Sequence, residues 1–112
     1  LIADTARDIG AEPIFLTQPR LVSEKNGPAE RERIAYEGAL LTHDALVRAF
    51  EETDDAILHV AQIEDVPVLD LSSLNGKTGL YRDHVHTTAR GSQIIADAVA
   101  NFLSKVLEDD NQ

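Results

Sequence analysis

A four-residue recurrence of apolar positions near the end of the chain is the clearest feature of its pattern. Between positions 94 and 107, pairs of apolar residues recur every four positions, which places them on one face of a helix. Thr87 or Thr88 stands where a side-chain cap is favoured. The pattern therefore predicts an amphipathic helix that begins just after these threonines. Its apolar stripe consists of Ile94, Ile95, Ala98, Val99, Phe102, Leu103, Val106 and Leu107.

Two short apolar runs predict β-strands. The first lies in PIFLTQP (13–19) and the second in PVLDLSS (67–73). In the first run Ile14, Phe15 and Leu16 are continuous between prolines. Such runs are typical of strands that are buried on both faces, and they favour a parallel sheet.

Helix-forming segments alternate with these strands. Segment 1–12 is typical of a helix end, with Gly10 as its stop, and segment 29–53 is long and free of proline. Segment 54–66 begins with Asp54 in a capping position. The order of helices and strands predicts a parallel α/β layer arrangement. Two parallel strands do not normally form a stable sheet alone, so further strands from an N-terminal half are expected.

Composition limits the classes of protein to which the chain can belong. The 112 residues carry a formal net charge of −10, which disfavours binding to nucleic acid. Cysteine is absent, so disulfides, thiolate metal sites and cysteine nucleophiles are excluded. No apolar run approaches the ~20 residues that cross a bilayer. The chain begins at Leu1 and contains no methionine, and we therefore expect a fragment or a processed chain.

Asp83, His84 and His86 lie together in a turn-rich loop just before the final helix. In α/β sheets, loops that follow a strand and enter a helix are where ligands bind. A catalytic histidine needs a carboxylate on one ring nitrogen and a free second nitrogen, and a spacing of three in a turn allows Asp83 to reach His86. The other histidines, His43 and His59, fall inside predicted helices and are expected to be structural or surface residues.

The segment LYRDHVHTTARGSQIIADAVANFL (80–103) resembles the last block of the SGNH (GDSL-type) serine hydrolases. In that family an Asp-x-x-His motif precedes a small or polar pair, a glycine and an amphipathic helix. PIFLTQP is similar to the family's penultimate long strand. VPVLDLSS is similar to the strand before the catalytic loop, with Asp70 in the usual place. The matching positions of the final block are Asp83, His86, Thr87, Thr88, Gly91, Ile95 and Ala96.

This resemblance implies a parallel-sheet, three-layer α/β/α fold of the flavodoxin-like kind, of which residues 1–112 would be the C-terminal portion. It implies that His86 is the general base and Asp83 its orienting acid, and that His84 is a bystander or a substrate contact. The implied activity is hydrolysis of a small-molecule or carbohydrate ester, without metal or organic cofactor. Members of the family are often exported, which favours a secreted or periplasmic location.

The family's Gly-Asp-Ser nucleophile motif has no counterpart in this sequence. The serine is therefore expected from a missing N-terminal segment of the same domain or from another chain, and these residues alone are expected to be inactive. Two alternatives remain open. Asp83, His84 and His86 could bind a divalent metal ion, although a fourth ligand has no clear source. The chain could also be a non-catalytic α/β interaction domain whose loop histidines carry no chemistry.

Overall fold

A computed structural model describes residues 1–110, and this part of the chain is 59% helical. Two helices of 22 residues each account for most of that content. In chain order the helices are α1 (Ile2–Asp8), α2 (Pro28–Arg31), α3 (Tyr36–Ala39), α4 (His43–Glu64) and α5 (Ala89–Asp110), with two 3-10 turns at Ser72–Leu74 and Thr78–Leu80.

The two predicted strands are present, and they pair in parallel. Strand β1 (Phe15–Leu16) lies beside β2 (Val68–Leu69), with Phe15 opposite Val68 and Leu16 opposite Leu69. Each strand is only two residues long, because polar or proline-containing segments bound both apolar runs. The parallel direction predicted from the sequence is confirmed.

The predicted three-layer α/β/α fold is wrong for this chain. Residues 1–110 form a mostly helical structure around a two-stranded sheet. A sheet of two two-residue strands has too little surface to be covered by a helical layer on each face. Helices lie before, between and after the two strands, but the strands are far too short to organise the fold.

The predicted division between helical segments 29–53 and 54–66 is wrong, because helix α4 runs across it. The helix begins at His43 after Thr42, whose side-chain oxygen accepts the backbone amide of Ala45 at 3.2 Å. Leu40 adopts a left-handed conformation, with φ of 55°, and so ends the preceding turn of helix. The helix then runs without a break through Asp54. Asp54 is therefore an interior helical residue, and the predicted cap there is wrong.

The core lies between loops and helix α4. Strand β1 is not buried on both faces as predicted: Phe15 is half-buried and Leu16 is exposed. The larger cluster joins the segment after β1, the N-terminal half of α4 and the turn before the Asp83 loop. Its buried members are Leu21, Val22, Ile34, Leu46, Val47, Leu80 and Tyr81.

Helix α5 begins where the sequence predicts. The hydroxyl of Thr88 accepts the backbone amide of Gly91 at 3.1 Å and donates to the carbonyl of Gly79 at 3.0 Å. A Cβ at Gly91 would lie 2.1 Å from the carbonyl oxygen of Leu80, so only glycine allows this close approach. The start of α5 is thereby fixed against the turn that leads into the Asp83 loop.

Candidate active site

The loop that carries Asp83, His84 and His86 is closed by its own backbone. Tyr81 and Thr87 form an isolated antiparallel bridge, and the amide of Arg82 donates to the carbonyl of His86 at 2.7 Å. A further bond, from the amide of Leu21 to the carbonyl of His84, measures 2.9 Å and ties the loop to the core. These bonds hold the two histidines on a constrained backbone.

Asp83 is held by backbone amides that follow it. Its Oδ1 accepts the amide of Val85 at 3.0 Å and the amide of His86 at 2.8 Å. An aspartate that bonds to amides two and three residues later stabilises a turn. These hydrogen bonds hold the pKa of Asp83 well below its ordinary value, and the bond from the amide of His86 has the largest effect. The carboxylate is therefore ionised at neutral pH.

The ring of His86 is oriented by the same carboxylate. Its Nδ1 lies 2.9 Å from Oδ2 and 3.1 Å from Oδ1 of Asp83. An ionised carboxylate can only accept a hydrogen bond, so Nδ1 carries the proton and Nε2 is the basic nitrogen of the neutral ring. The His86 side chain is 76% exposed. Within residues 1–110, Nε2 has no hydrogen-bond partner, which leaves it accessible to take a proton.

His84 lies in the same loop as His86 but has different surroundings. Its Nδ1 is 3.9 Å from Oδ1 of Asp83, and no atom of residues 1–110 hydrogen-bonds to it. With Val85, the His84 side chain lines an apolar groove of about 460 Å³, which Leu46 and Phe50 of α4 also line. The residue predicted as a substrate contact therefore faces an apolar groove, whereas His86 does not line it.

His43 and His59 occupy the positions expected of structural and surface residues. His43 is buried, and its Nε2 donates to the carbonyl of Ser23 at 2.9 Å, so its Nδ1 accepts the hydroxyl of Tyr36 at 2.7 Å. Burial raises the pKa of Tyr36, with Arg31 opposing that effect. His59 is exposed on α4.

A buried ion pair between Arg20 and Asp54 is the polar feature that the sequence reasoning missed. The two side chains are 4% and 10% exposed, and Nη1 of Arg20 also donates to the carbonyl of Gln18 at 3.1 Å. Cζ of Arg20 lies 5.0 Å from the centre of the Phe50 ring. One pattern could have revealed the pair: Asp54 falls in the same helical row as Val47, Phe50 and Ala61, on the inward face of α4.

Neither a metal cluster nor a membrane-spanning helix is found in the described part of the chain. In residues 1–110 no three His, Cys, Asp or Glu side chains are grouped to hold a metal ion. Over the same residues, no helix combines the length and apolar character that crossing a membrane requires. The hypothesis of a metal site at Asp83, His84 and His86 thus gains no support from their arrangement.

Comparison with known proteins does not assign the chain to a family. No family model, curated protein or solved structure matches it. The geometry of Asp83 and His86, and the motif in which they occur, are therefore the features of the chain that bear on its function.

Proposed function

We propose that this chain supplies the general base, His86, and its orienting carboxylate, Asp83, to a serine ester hydrolase. The observation that carries the proposal is the 2.9 Å contact between Oδ2 of Asp83 and Nδ1 of an exposed His86. The carboxylate fixes the tautomer in which Nε2 can accept a proton, and it stabilises the imidazolium that forms when it does. The Asp-x-x-His motif and the helix after it also resemble the last block of the SGNH hydrolases.

The reaction that this pair would support proceeds through an acyl-serine. Nε2 of His86 takes the proton of a serine hydroxyl as the serine oxygen bonds to the ester carbonyl carbon. The imidazolium then gives that proton to the alcohol as the carbonyl–oxygen ester bond breaks. Water, deprotonated by the same nitrogen, releases the acid and frees the serine. No redox step or cofactor is required.

The serine in this proposal comes from outside residues 1–110. No hydroxyl among these residues hydrogen-bonds to Nε2 of His86. The nucleophile would therefore be supplied by a further segment of the same polypeptide or by a partner chain. The proposal depends on the site and not on the three-layer fold, which the chain does not have.

The substrate class that we propose is a small-molecule or carbohydrate ester, such as an acetyl ester or a lipid ester. The apolar groove beside His84 and Val85 supports an ester with an apolar part, since these residues adjoin the Asp83–His86 pair in one loop. The role of His84 in this proposal is a substrate contact and not a proton carrier.

The proposal is tested on the intact protein, as it is isolated from the cells that make it. A fluorophosphonate probe should label one serine, and the protein should hydrolyse p-nitrophenyl acetate. His86→Ala should abolish labelling and lower kcat/KM by about 10⁴-fold or more, because one member of the triad is removed. His84→Ala is the matched control from the same loop, and it should retain labelling with only a modest loss of rate.

Two results would refute the proposal. One is the absence of serine labelling in the wild-type protein, which would exclude a serine hydrolase. The other is equal and severe loss in both histidine variants, which would mean that the loop acts as a structural unit and that His86 has no special role.

A further inference from the structure

The apolar groove at the Asp83 loop has the size and the lining of a small-molecule site. Its volume of about 460 Å³ lies within the ~300–1,000 Å³ usual for such pockets. The described residues that line it include no acid, lysine or arginine. Val85 joins the groove to the proposed base, because its amide donates at 3.0 Å to the same Asp83 carboxylate that orients His86.

Small residues leave space in this groove. Ala35, Gly38 and Ala39, from α3 and the residue before it, each contribute at most one side-chain carbon. An added Cβ at Gly38 would contact no other part of residues 1–110 within 4 Å. Leu46 and Phe50 of α4 contribute large apolar side chains. The groove therefore suits an aliphatic chain, which needs no hydrogen bonds, whereas a polar group buried there would lose its hydrogen bonds to water.

The position of His86 relative to the groove separates the two parts of an ester. The His86 side chain is 76% exposed and does not line the groove. In the proposed reaction its Nε2 protonates the leaving alcohol and then deprotonates the water that replaces it, so the alcohol part lies on the solvent side of His86. The acyl part stays bonded to the serine through both steps. The acyl part is therefore the one that fits a groove from which the base is absent.

We propose that this groove binds the aliphatic acyl chain of the ester, and that Gly38 and Ala39 determine how long a chain it accepts. The inference rests on the proposed hydrolase function and narrows its substrates to esters of longer aliphatic acids. Each methylene that enters the groove leaves water for an apolar surface and so strengthens binding. An acetyl group has a single methyl and gains little from the groove.

Two ester series measured with the intact protein test which part of the substrate enters the groove. In p-nitrophenyl esters from acetate to octanoate, kcat/KM should rise about two- to fourfold with each methylene, the gain expected from its burial. In alkyl acetates from ethyl to octyl, where the alcohol lengthens instead, kcat/KM should not show this rise. A flat acyl series, or a rise confined to the alkyl acetates, would overturn the proposal.

Substitutions in the groove test the roles of its small residues. Ala39→Leu places a larger side chain at the groove and should lower the ratio of kcat/KM for octanoate to that for acetate about tenfold. Gly38→Val should change the ratio in the same direction and serves as a second variant if Ala39→Leu does not fold. Ala29→Leu is the matched control, since Ala29 is exposed in α2 and does not line the groove. Equal ratios in Ala39→Leu and Ala29→Leu would contradict the assignment.

A binding measurement separates this inference from the proposed function. Hexanamide, a neutral analogue of the acyl part, should shift the methyl NMR signals of Val85 in a saturable way, and acetamide should not. His86→Ala should retain this binding, and Ala39→Leu should weaken it. Saturable binding without ester hydrolysis would support the groove as an acyl-chain site and refute the hydrolase function. Ester hydrolysis without a hexanamide shift would overturn the groove assignment and leave the hydrolase function standing.

Discussion

Asp83 controls both the backbone and the ring of His86. Its carboxylate accepts the amide of His86 at 2.8 Å and lies 2.9 Å from the ring nitrogen Nδ1. One side chain therefore sets the turn and also fixes which ring nitrogen carries the proton. Because the two effects come from the same carboxylate, the stability of the loop and the chemistry of the histidine should respond together to changes at Asp83.

Asp83→Asn should lower stability in a pH-dependent way. The folded pKa of Asp83 lies below its ordinary value, so its contribution is fully present above the unfolded pKa of about 3.9. That contribution is lost as the pH falls from there towards the folded pKa. Urea unfolding at pH 7, 5, 4 and 3 measures this effect. The free energy of unfolding of the wild-type chain should exceed that of the variant at pH 7 and 5, and the difference between the two should shrink below about pH 4.

Asp109→Asn is the matched control for this experiment. Asp109 is exposed in α5, and its side chain makes no hydrogen bond within residues 1–110. Its replacement should not change the pH dependence of unfolding. A constant difference between wild type and Asp83→Asn from pH 7 to pH 3 would contradict the proposed role of the Asp83 carboxylate.

Tyr81 should stabilise the chain through its hydroxyl group. The residue is fully buried, and its hydroxyl donates to the carbonyl of Leu74 at 2.9 Å. Tyr81→Phe leaves that carbonyl without its donor, so the free energy of unfolding at pH 7 should fall by about 1 kcal/mol. Equilibrium urea unfolding measures this change, and an unchanged midpoint would show that the hydrogen bond contributes nothing net.

Alkaline pH should destabilise the wild-type chain partly through Tyr81. Burial raises the pKa of Tyr81 to about 12, while tyrosine in the unfolded chain ionises near 10. The stability due to the neutral phenol is fully present below about pH 10 and is lost as the pH rises from there towards 12. Between pH 9.5 and pH 11, Tyr81→Phe should therefore lose less stability than the wild type, and an identical loss would count against this assignment.

Gly91→Ala should destabilise the start of α5. The added methyl group would lie 2.1 Å from the carbonyl oxygen of Leu80, and backbone must move to admit it. Overpacking of this kind costs about 1–3 kcal/mol, which thermal or urea unfolding would detect. Gly79→Ala is the control from the adjoining turn, since nothing lies within 4 Å of its added Cβ. Equal effects of the two substitutions would contradict the close approach.

The Arg20–Asp54 pair should show strong coupling between its members. Arg20→Met or Asp54→Leu alone leaves a buried charge without its partner and should cost about 3–5 kcal/mol in free energy of unfolding. The double variant removes both charges and should recover much of that loss. A double-mutant cycle by urea unfolding measures the coupling, and additive losses would show that the two charges do not interact in the folded chain.

Local features of the candidate site could be predicted because they depend on residues close in sequence. The spacing of Asp83 and His86 allowed a carboxylate–imidazole contact, and that contact is present at 2.9 Å. Thr88 was expected as a cap of α5 and is one. The catalytic roles of the two residues stay a prediction.

Features that join distant segments could not be predicted in the same way. Arg20 and Asp54 are 34 residues apart, and the row of apolar residues around Asp54 was the only local sign that it faces inward. The predicted helix boundary at Asp54 and the three-layer fold were both wrong for related reasons. Each relied on local pattern, whereas burial is decided by which segments meet.

The sequence by itself determined the short-range structure: the position of α5, the parallel strands as a pair, and the turn that brings Asp83 to His86. Such features follow from side-chain periodicity, capping and turn geometry, which act over a few residues. The tertiary structure decided the rest, including the core around Leu21 and Tyr81 and the buried charges of Arg20 and Asp54. The reason is physical, because the cost of burying a group depends on its neighbours in space and not on its neighbours in the chain.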